Sequence, residues 1–521
     1  MYAKLEQYGY VLPALSGVLL VLTFHPFDFW PLGFVALMPL FYFITAFPGR
    51  PAWRTFWGGF ITGGLFAFAL SYFTLIQFHW LPGAYLFAGA VRLLVVPITL
   101  LSGALVGLLS VVVYRAFYSR SIFLNALLAA AVYTAAELLL QRLFGGYYLA
   151  TLAYAAVPLP PLLSLAALGG APLLSFFVAW INGFLTEALI AWRTRPQALA
   201  RAAAASAALF LVVFLPNYIY LHRPLAAQKT LSVAVLQAAS RGTIAFGTQK
   251  NGVFFWSMGQ RLAQAAATAP DLLIYPFSPV EGALYRSQAP AFNKEVLVAS
   301  EQSVARFLAG TLPASTTLMT WNNLYADGSF YNEYELWRGG RVVSEYQKRE
   351  LFAFMDYTPR WAQKFGLFST PFDVTPGTPD NRLVLDGVPL GDLMCSELHH
   401  TSLARSEARR APLIIAVGSE AMFEDDVASA FSLKAAQLRA AENDLPVVRG
   451  NILGPSGIID RFGVLTAYAP AGTAGAIAGE VALTAPRQTL YNRLGDSIIW
   501  VVLCGILASA WYTRSRAKTL R

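Results

Sequence analysis

Cysteine is almost missing from this chain. Only Cys395 and Cys504 occur among 521 residues, so a disulfide framework is excluded. Cys504 sits in an apolar stretch of membrane-spanning character near the C-terminus, and a bridge to Cys395 would have to join a soluble site to a bilayer interior. Charge is scarce too: 13% of residues are charged against 56% hydrophobic, which is too apolar for an ordinary soluble protein. Metal-ligand spacing is absent, because the adjacent His399 and His400 point in different directions and have no partner cluster; they read as a surface or site-rim feature. The net charge of +9 comes without any nucleic-acid-binding motif. No internal repeat is evident, and no cleavable leader is expected, since the first apolar span lacks a small-residue cleavage pattern and runs straight into His25-Pro-Phe-Asp-Phe-Trp30.

What is present falls into two kinds of sequence. Apolar stretches of bilayer length occupy about 9–24, 30–47, 56–77, 88–113, 122–140, 165–190, 204–220 and 496–513, which predicts about eight spans. Between 222 and about 492 the runs are short and punctuated by Gly, Pro, Asp and Asn, as in a globular domain. The division is therefore 1–221 for a seven-span membrane domain, 222–494 for the globular domain, and 495–521 for a last span and tail. Arg50 and Arg54, Arg115 and Arg120, Arg193 with Arg195 and Arg201, and the terminal Arg514, Arg516, Lys518 and Arg521 follow the even-numbered spans. By the positive-inside rule both termini are cytoplasmic and the globular domain is outside. Much of the basic excess is thus topogenic. The aromatic, proline-rich links at 25–30 and 78–83 and the Phe144-Gly-Gly-Tyr-Tyr148 segment read as an aromatic belt or as the mouth of a lipid-binding cavity.

In the globular part, strand candidates lie at 231–237, 272–275, 316–321, 383–385, 393–395, 413–417, 447–449 and 457–459, with helix candidates at 255–267, 292–309 and 427–442 between several of them. Alternation of this kind argues for an α/β layered domain, in which chemistry gathers at the loops following strands. Cys395 ends the apolar run Val388-Pro-Leu-Gly-Asp-Leu-Met-Cys395. An unbridged thiol there is either a small buried hydrophobe or a nucleophile. Glu281, after the strand at 272–275, Lys348, and Glu397, two residues beyond the thiol, complete a coherent acyl-transfer set. A carboxylate takes the thiol proton, and an ammonium stabilises the thiolate and the oxyanion of the tetrahedral intermediate. Each also reads singly as a solvated loop residue.

Three segments resemble those of the carbon-nitrogen hydrolase (nitrilase) superfamily: Cys395-Ser-Glu397 after an apolar strand, Tyr346-Gln-Lys348 ahead of Phe354-Met-Asp-Tyr-Thr-Pro359, and Pro270-Asp-Leu-Leu-Ile-Tyr-Pro276. In the apolar half, Phe24-His-Pro-Phe-Asp-Phe-Trp-Pro-Leu-Gly-Phe-Val-Ala-Leu-Met-Pro-Leu40, Phe56-Trp-Gly-Gly-Phe-Ile-Thr-Gly-Gly64 and Leu168-Gly-Gly-Ala-Pro-Leu-Leu-Ser-Phe-Phe177 are similar to the apolipoprotein N-acyltransferase family. That resemblance implies a polytopic α-helical membrane domain joined to a nitrilase-like αββα sandwich, in the bacterial inner membrane, with the catalytic domain periplasmic. It implies Cys395 as nucleophile, Lys348 as oxyanion-stabilising lysine, Asp356 where the family usually carries glutamate, and Glu397 as a further carboxylate. Gln237 matches the family's first strand. The implied reaction is ping-pong: a phospholipid gives its acyl chain to the cysteine as a thioester, and the α-amino group of a diacylglyceryl-cysteine lipoprotein accepts it. No cofactor, metal or nucleic acid is implied, and a monomer is expected.

The sequence also departs from the family pattern. In an ungapped match the family's glutamate falls on Phe277, whereas a small insertion, favoured by Pro276 and Pro279, aligns Glu281 instead. Ser396 stands where the family has tyrosine, and the segments at 418–424 and 449–453 differ as well. Two other functions therefore stay open: a diverged acyltransferase or amidase with another acceptor, and a non-catalytic homologue that binds lipid or lipoprotein. The predicted topology is checked with a membrane-impermeant thiol reagent. Single cysteines introduced near Gly339 should label from outside and those near Arg516 only after permeabilisation, and the reverse pattern would overturn the orientation.

Overall fold

The computed structural model describes residues 9–46, 51–76, 94–144, 146, 150–237, 262–276, 283–285, 297–353, 355–365, 373–418 and 427–519. The chain divides into two compact units. One holds apolar helices up to Arg223 and again from Thr489, and the other is Pro224–Gln488.

Among the described residues of the first unit, six helices are long and apolar enough to cross a membrane: Ala52–Thr74, Val95–Arg115, Ile122–Leu143, Ala166–Ala191, Pro196–Leu221 and Ser497–Arg516. The first two of the eight expected spans are shorter. Helix α1 is Val11–Thr23, and the stretch at 30–47 is a 3-10 turn, Trp30–Phe34, followed by α2, Met38–Thr45. Proline stands in the first turn of each piece and cannot donate a backbone hydrogen bond, so the helix stops and restarts. In an apolar bundle the freed groups need internal partners. They find one in Asn182, whose amide nitrogen donates to the Gly33 carbonyl and whose oxygen accepts from the Leu37 N–H, both at 2.8 Å.

The longer helices are α3 (Ala52–Ser71), α4 (Val95–Leu109), α5 (Ile122–Leu143), α6 (Ala166–Ala191), which carries Asn182, and α7 (Pro196–Leu221). Within α5, the buried Glu137 accepts the Leu152 N–H at 2.6 Å and the Thr151 hydroxyl at 3.2 Å, which caps the 3-10 turn Leu152–Ala156. Helices α3 and α4 pack backbone against backbone. A Cβ placed on Gly59 would lie 2.7 Å from the Gly107 Cα, and one on Gly107 would lie 2.6 Å from the Phe56 carbonyl oxygen. Small residues make that approach possible where no hydrophobic driving force separates helix from lipid.

Among its described residues the second unit has fifteen strands. In chain order they are β1 (Lys229–Gln237), β2 (Leu272–Tyr275), β3 (Ala283–Tyr285), β4 (Leu297–Ser300), β5 (Thr317–Ala326), β6 (Ser329–Arg338), β7 (Arg341–Gln347), β8 (Val384–Leu385), β9 (Val388–Pro389), β10 (Gly391–Met394), β11 (Ile414–Gly418), β12 (Val447–Asn451), β13 (Ser456–Ile459), β14 (Leu465–Ala469) and β15 (Gly475–Leu483). One sheet runs β15-β1-β2-β5-β3-β4, with β6 added to β5 and β7 to β6; the other runs β10-β11-β12-β13-β14. Strands β1, β2 and β5 are parallel, as are β10, β11 and β12.

The two sheets share one core. Leu231, Val233 and Val235 of β1 face Met394, Ile415, Val417 and Val448 of the other sheet, while Ala234 and Leu236 turn to the opposite side, against Val304 and Leu308 of α8 (Glu301–Thr311). On the second sheet, α9 (Thr401–Ala408) packs on β10 and α10 (Val427–Asn443) on β12 and β13. The layering is therefore helix, sheet, sheet, helix. The helix expected over 292–309 begins only at Glu301, because Leu297–Ser300 pairs in parallel with β3 as a strand. Of the helix expected over 255–267, residues before 262 lie outside the described residues.

The glycine contact between α3 and α4 makes a direct prediction. Gly107→Leu should lower the thermal stability of the detergent-solubilised protein by several degrees, the scale of an overpacking penalty of about 1–3 kcal/mol. Differential scanning fluorimetry against Gly64→Leu, whose added Cβ would meet nothing nearer than 3.8 Å, supplies the control.

Candidate active site

Strand β10 climbs beside β11 and ends at Met394, and the next residue leaves the sheet. Cys395, expected as the last residue of that strand, is instead the first of a 3-10 turn, Cys395–His399, and has φ +53°. The left-handed region disfavours a residue with a Cβ by about 1–3 kcal/mol, so surrounding contacts must hold the turn. Cys395 is half-buried and not in a disulfide.

Those contacts converge on Glu397. Its carboxylate is fully buried and takes four donors: the Met394 N–H at 2.7 Å, the Tyr346 hydroxyl at 2.8 Å, and the Arg349 and Glu350 N–H groups at 2.8 and 2.9 Å. Burial raises its pKa, and the opposing pull of Lys348 and of these donors only partly offsets that. A carboxylate whose lone pairs are occupied in this way has none to spare for a substrate proton. Glu397 therefore ties the cysteine turn to the segment after β7, and the turn and that segment come from different sheets.

Lys348 opens that segment and is buried, its Nζ 2.5 Å from Oδ2 of Asp356. Asp356 is buried as well; it accepts the Phe352 N–H at 2.7 Å on the same oxygen and the Asn332 side-chain amide at 2.8 Å on the other. Burial lowers the affinity of Lys348 for its proton, but Asp356, then Cys395 and Glu397, outweigh it, and the ammonium is held above its usual pKa. Lys348 is thus a fixed cation within electrostatic reach of Cys395. An arrangement of this kind stabilises a thiolate and any oxyanion formed on its acyl adduct.

The structure brings together Cys395, Lys348, Asp356 and Glu397. Glu281 and Phe277 lie outside the described residues. The start of their segment is described: a Cβ on Gly450 of β12 would sit 3.3 Å from Ile274 and Val417 and 3.4 Å from Pro276, so the chain leaves β2 against the ends of β11 and β12. Gln237 is buried at the end of β1 and donates to the Pro470 and Thr473 carbonyls at 2.8 and 2.9 Å. Three contributors went unnoticed in the sequence. Tyr346 precedes the lysine by two residues in a segment already singled out, whereas nothing local marks Tyr334, or Arg349 with its 2.6 Å ion pair to the buried Glu407 of α9.

His399 corrects an expectation. It is buried, not at a surface or rim, with Nε2 3.3 Å from the Ser432 hydroxyl. Burial, then Arg449, Arg439 and His400, push its pKa down to about 3.

Comparison with known proteins follows this geometry. The profile described as "Apolipoprotein N-acyltransferase N-terminal domain" matches residues 16–184. Curated relatives named apolipoprotein N-acyltransferase match over nearly the whole chain. The Pasteurella multocida protein is 23% identical across 95% of this chain and 94% of its own length. The Azotobacter vinelandii protein is 26% identical across 91% and 89%. That of Geobacter metallireducens is 26% identical across 97% and 95%. Among solved structures, Saccharomyces cerevisiae Nit3, described as a member of branch 10 of the nitrilase superfamily, covers 52% of this chain and 94% of its own at 14% identity and a TM-score of 0.37. At that score the match adds nothing to the strand order described above.

The buried histidine makes stability depend on pH. Its pKa is about 3 in the fold against 6.5 for an ordinary histidine, so its contribution is complete above pH 6.5 and is lost as pH falls toward 3. Over that window the wild type should lose up to ~1.4 kcal/mol per pH unit more than His399→Gln. Thermal unfolding at a series of pH values from 7 down to about 4 checks the difference in slope.

Proposed function

The chain belongs to the apolipoprotein N-acyltransferase family, and we propose that it moves a fatty acyl chain from a phospholipid, through a thioester on Cys395, to the α-amino group of the diacylglyceryl-cysteine of a lipoprotein. The observation that carries this reading is similarity to such enzymes over 91% to 97% of the chain. The site chemistry is consistent with it, since a half-buried thiol lies within electrostatic reach of a buried lysine whose pKa is held above its usual value.

In the first half-reaction the Cys395 thiolate attacks the ester carbonyl of the phospholipid. The carbon–oxygen bond then breaks, and the lysophospholipid leaves with the proton taken from the thiol. Lys348 neutralises the oxyanion of the tetrahedral intermediate, and Asp356 keeps it charged and in place. In the second half-reaction the lipoprotein amine attacks the thioester, a carbon–nitrogen bond replaces the carbon–sulfur bond, and the amine proton returns to the thiolate by way of the base. Glu281 is that base in this reading, and the position of Pro276 near Val417 and Gly450 supports it. Glu397 holds the turn and does not move protons.

The same reading gives the chain eight spans. The division is 1–221, 222–494 and 495–521, with a nitrilase-like αββα domain on the periplasmic side of the inner membrane. The protein acts as a monomer and takes no nucleic acid.

Intact mass after mixing the purified protein with phospholipid tests the central step. One acyl chain should appear on wild-type Cys395 and none on Cys395→Ser, and Lys348→Ala should slow its appearance on the order of a hundredfold. Glu281→Gln should slow both thioester formation and its aminolysis. If Glu281→Gln is silent, Phe277 marks a lost base; Phe277→Glu then distinguishes a degenerate enzyme, which gains acyl transfer, from a lipoprotein-binding homologue, which does not.

A further inference from the structure

Tyr334 belongs to β6, in the first sheet, and its ring is fully buried between the sheets, 5.8 Å from the ring of Tyr346. Its hydroxyl meets the backbone of the second sheet: 2.5 Å from the Val417 carbonyl oxygen, 3.1 Å from the Val417 nitrogen and 3.2 Å from the Leu393 carbonyl oxygen. Met394 and Val417 are partners in the parallel ladder of β10 and β11, and Cys395 is the next residue after that rung. A phenol has one proton to donate and lone pairs to accept with. It therefore receives the Val417 N–H and donates to the Val417 carbonyl, with the Leu393 carbonyl as a second acceptor in reach.

One side chain of the facing sheet thus grips both strands at the last rung before the nucleophile. Tyr346, next to it on β7, does the corresponding task on the other side of the turn through Glu397. The residues after Cys395 are fixed by the carboxylate, and the strand before it by the phenol. A phenylalanine would fill the same space and leave the amide and carbonyls of the rung to rearrange. The hydroxyl is dependable as a donor, since burial, then the charges of Glu397 and Cys395, hold its pKa well above the ordinary phenol value.

We propose that Tyr334 is a positioning residue for the Cys395 nucleophile: its hydroxyl sets the separation and direction of β10 and β11 where the chain turns into the left-handed conformation of Cys395. The proposal rests on the reading of Cys395 as the acyl carrier. Its consequence is that the thiol meets Lys348 and the lipid carbonyl at the productive angle only while the phenol holds the rung. Misplacement of a reacting group by about 1 Å can cost on the order of a hundredfold in rate.

The test uses the full chain with Cys504→Ser, in detergent, so that Cys395 is the only thiol. Its alkylation by iodoacetamide is followed by intact mass as a function of pH, and thioester formation is followed with vesicles of phosphatidylethanolamine and phosphatidylglycerol. Tyr334→Phe should raise the alkylation midpoint, as the thiolate loses its alignment with Lys348. It should also slow thioester formation at least about tenfold with little change in phospholipid KM. An unchanged alkylation profile in Tyr334→Phe overturns the proposal, whatever the melting temperature does. Where Tyr334→Phe fails to insert, 4-fluorophenylalanine at 334 fills the hydroxyl's place with an atom that donates no hydrogen bond; a raised alkylation midpoint supports the proposal and an unchanged one overturns it. A wild-type chain that alkylates normally yet never forms a thioester would sink the acyl-transfer reading, and the alkylation profiles would still decide the role of Tyr334.

Discussion

A single buried carboxylate holds the site together. Glu397 takes hydrogen bonds from the strand before Cys395, from the segment that carries Lys348, and from a tyrosine of the opposite sheet. A buried charge without such partners costs several kcal/mol, so the fold must supply all of them at once. That requirement couples the two sheets at one point, and the strained backbone of Cys395 is kept by it. Lys348 and Asp356 depend on it in turn, because the backbone that leads away from Lys348 is the one Glu397 fixes at Arg349 and Glu350.

The chemistry of the site follows from how its charges are paired. Lys348 has a short ion pair to Asp356, which helps hold its pKa above the usual value and so keeps it charged near neutrality. Arg349 is paired with Glu407 and packed over the Tyr346 ring, which removes a second cation from competition for the carboxylate of Glu397. The neutral phenols of Tyr334 and Tyr346 supply donors that never titrate near neutrality. Preorganised groups of this kind need no rearrangement when charge develops on a reacting carbonyl.

The apolar unit solves a different problem with similar means. Where proline interrupts the helix between Trp30 and Thr45, Asn182 provides the donor and the acceptor that the lipid cannot. Where α3 and α4 meet, glycine replaces side-chain packing by backbone contact. Glu137 is spent on capping a turn. Asn182 and Glu137, both buried in this unit, are thus committed to holding irregular backbone.

The broad character of the protein was legible in the chain, because hydropathy is a local property: runs of bilayer length, their basic flanks and the shift to short strand-like runs after residue 222 need no tertiary information. The family resemblance and the neighbourhood of Cys395, Lys348 and Asp356 were legible too, since each is carried by a short motif. What sequence could not decide depends on distance across the sandwich. The stretch at 292–309 reads as helix until the pairing of β4 with β3 claims its middle, and the histidine pair reads as surface until α10 covers His399. Glu397 looks like one more catalytic carboxylate beside a cysteine. Only the packing of two sheets brings it four donors from residues between 346 and 394 and turns it from a proton carrier into a clamp. Tyr334 carries no local signal at all, for its partners lie 59 and 83 residues away, and a hydroxyl that grips a ladder rung exists only once both strands are in place.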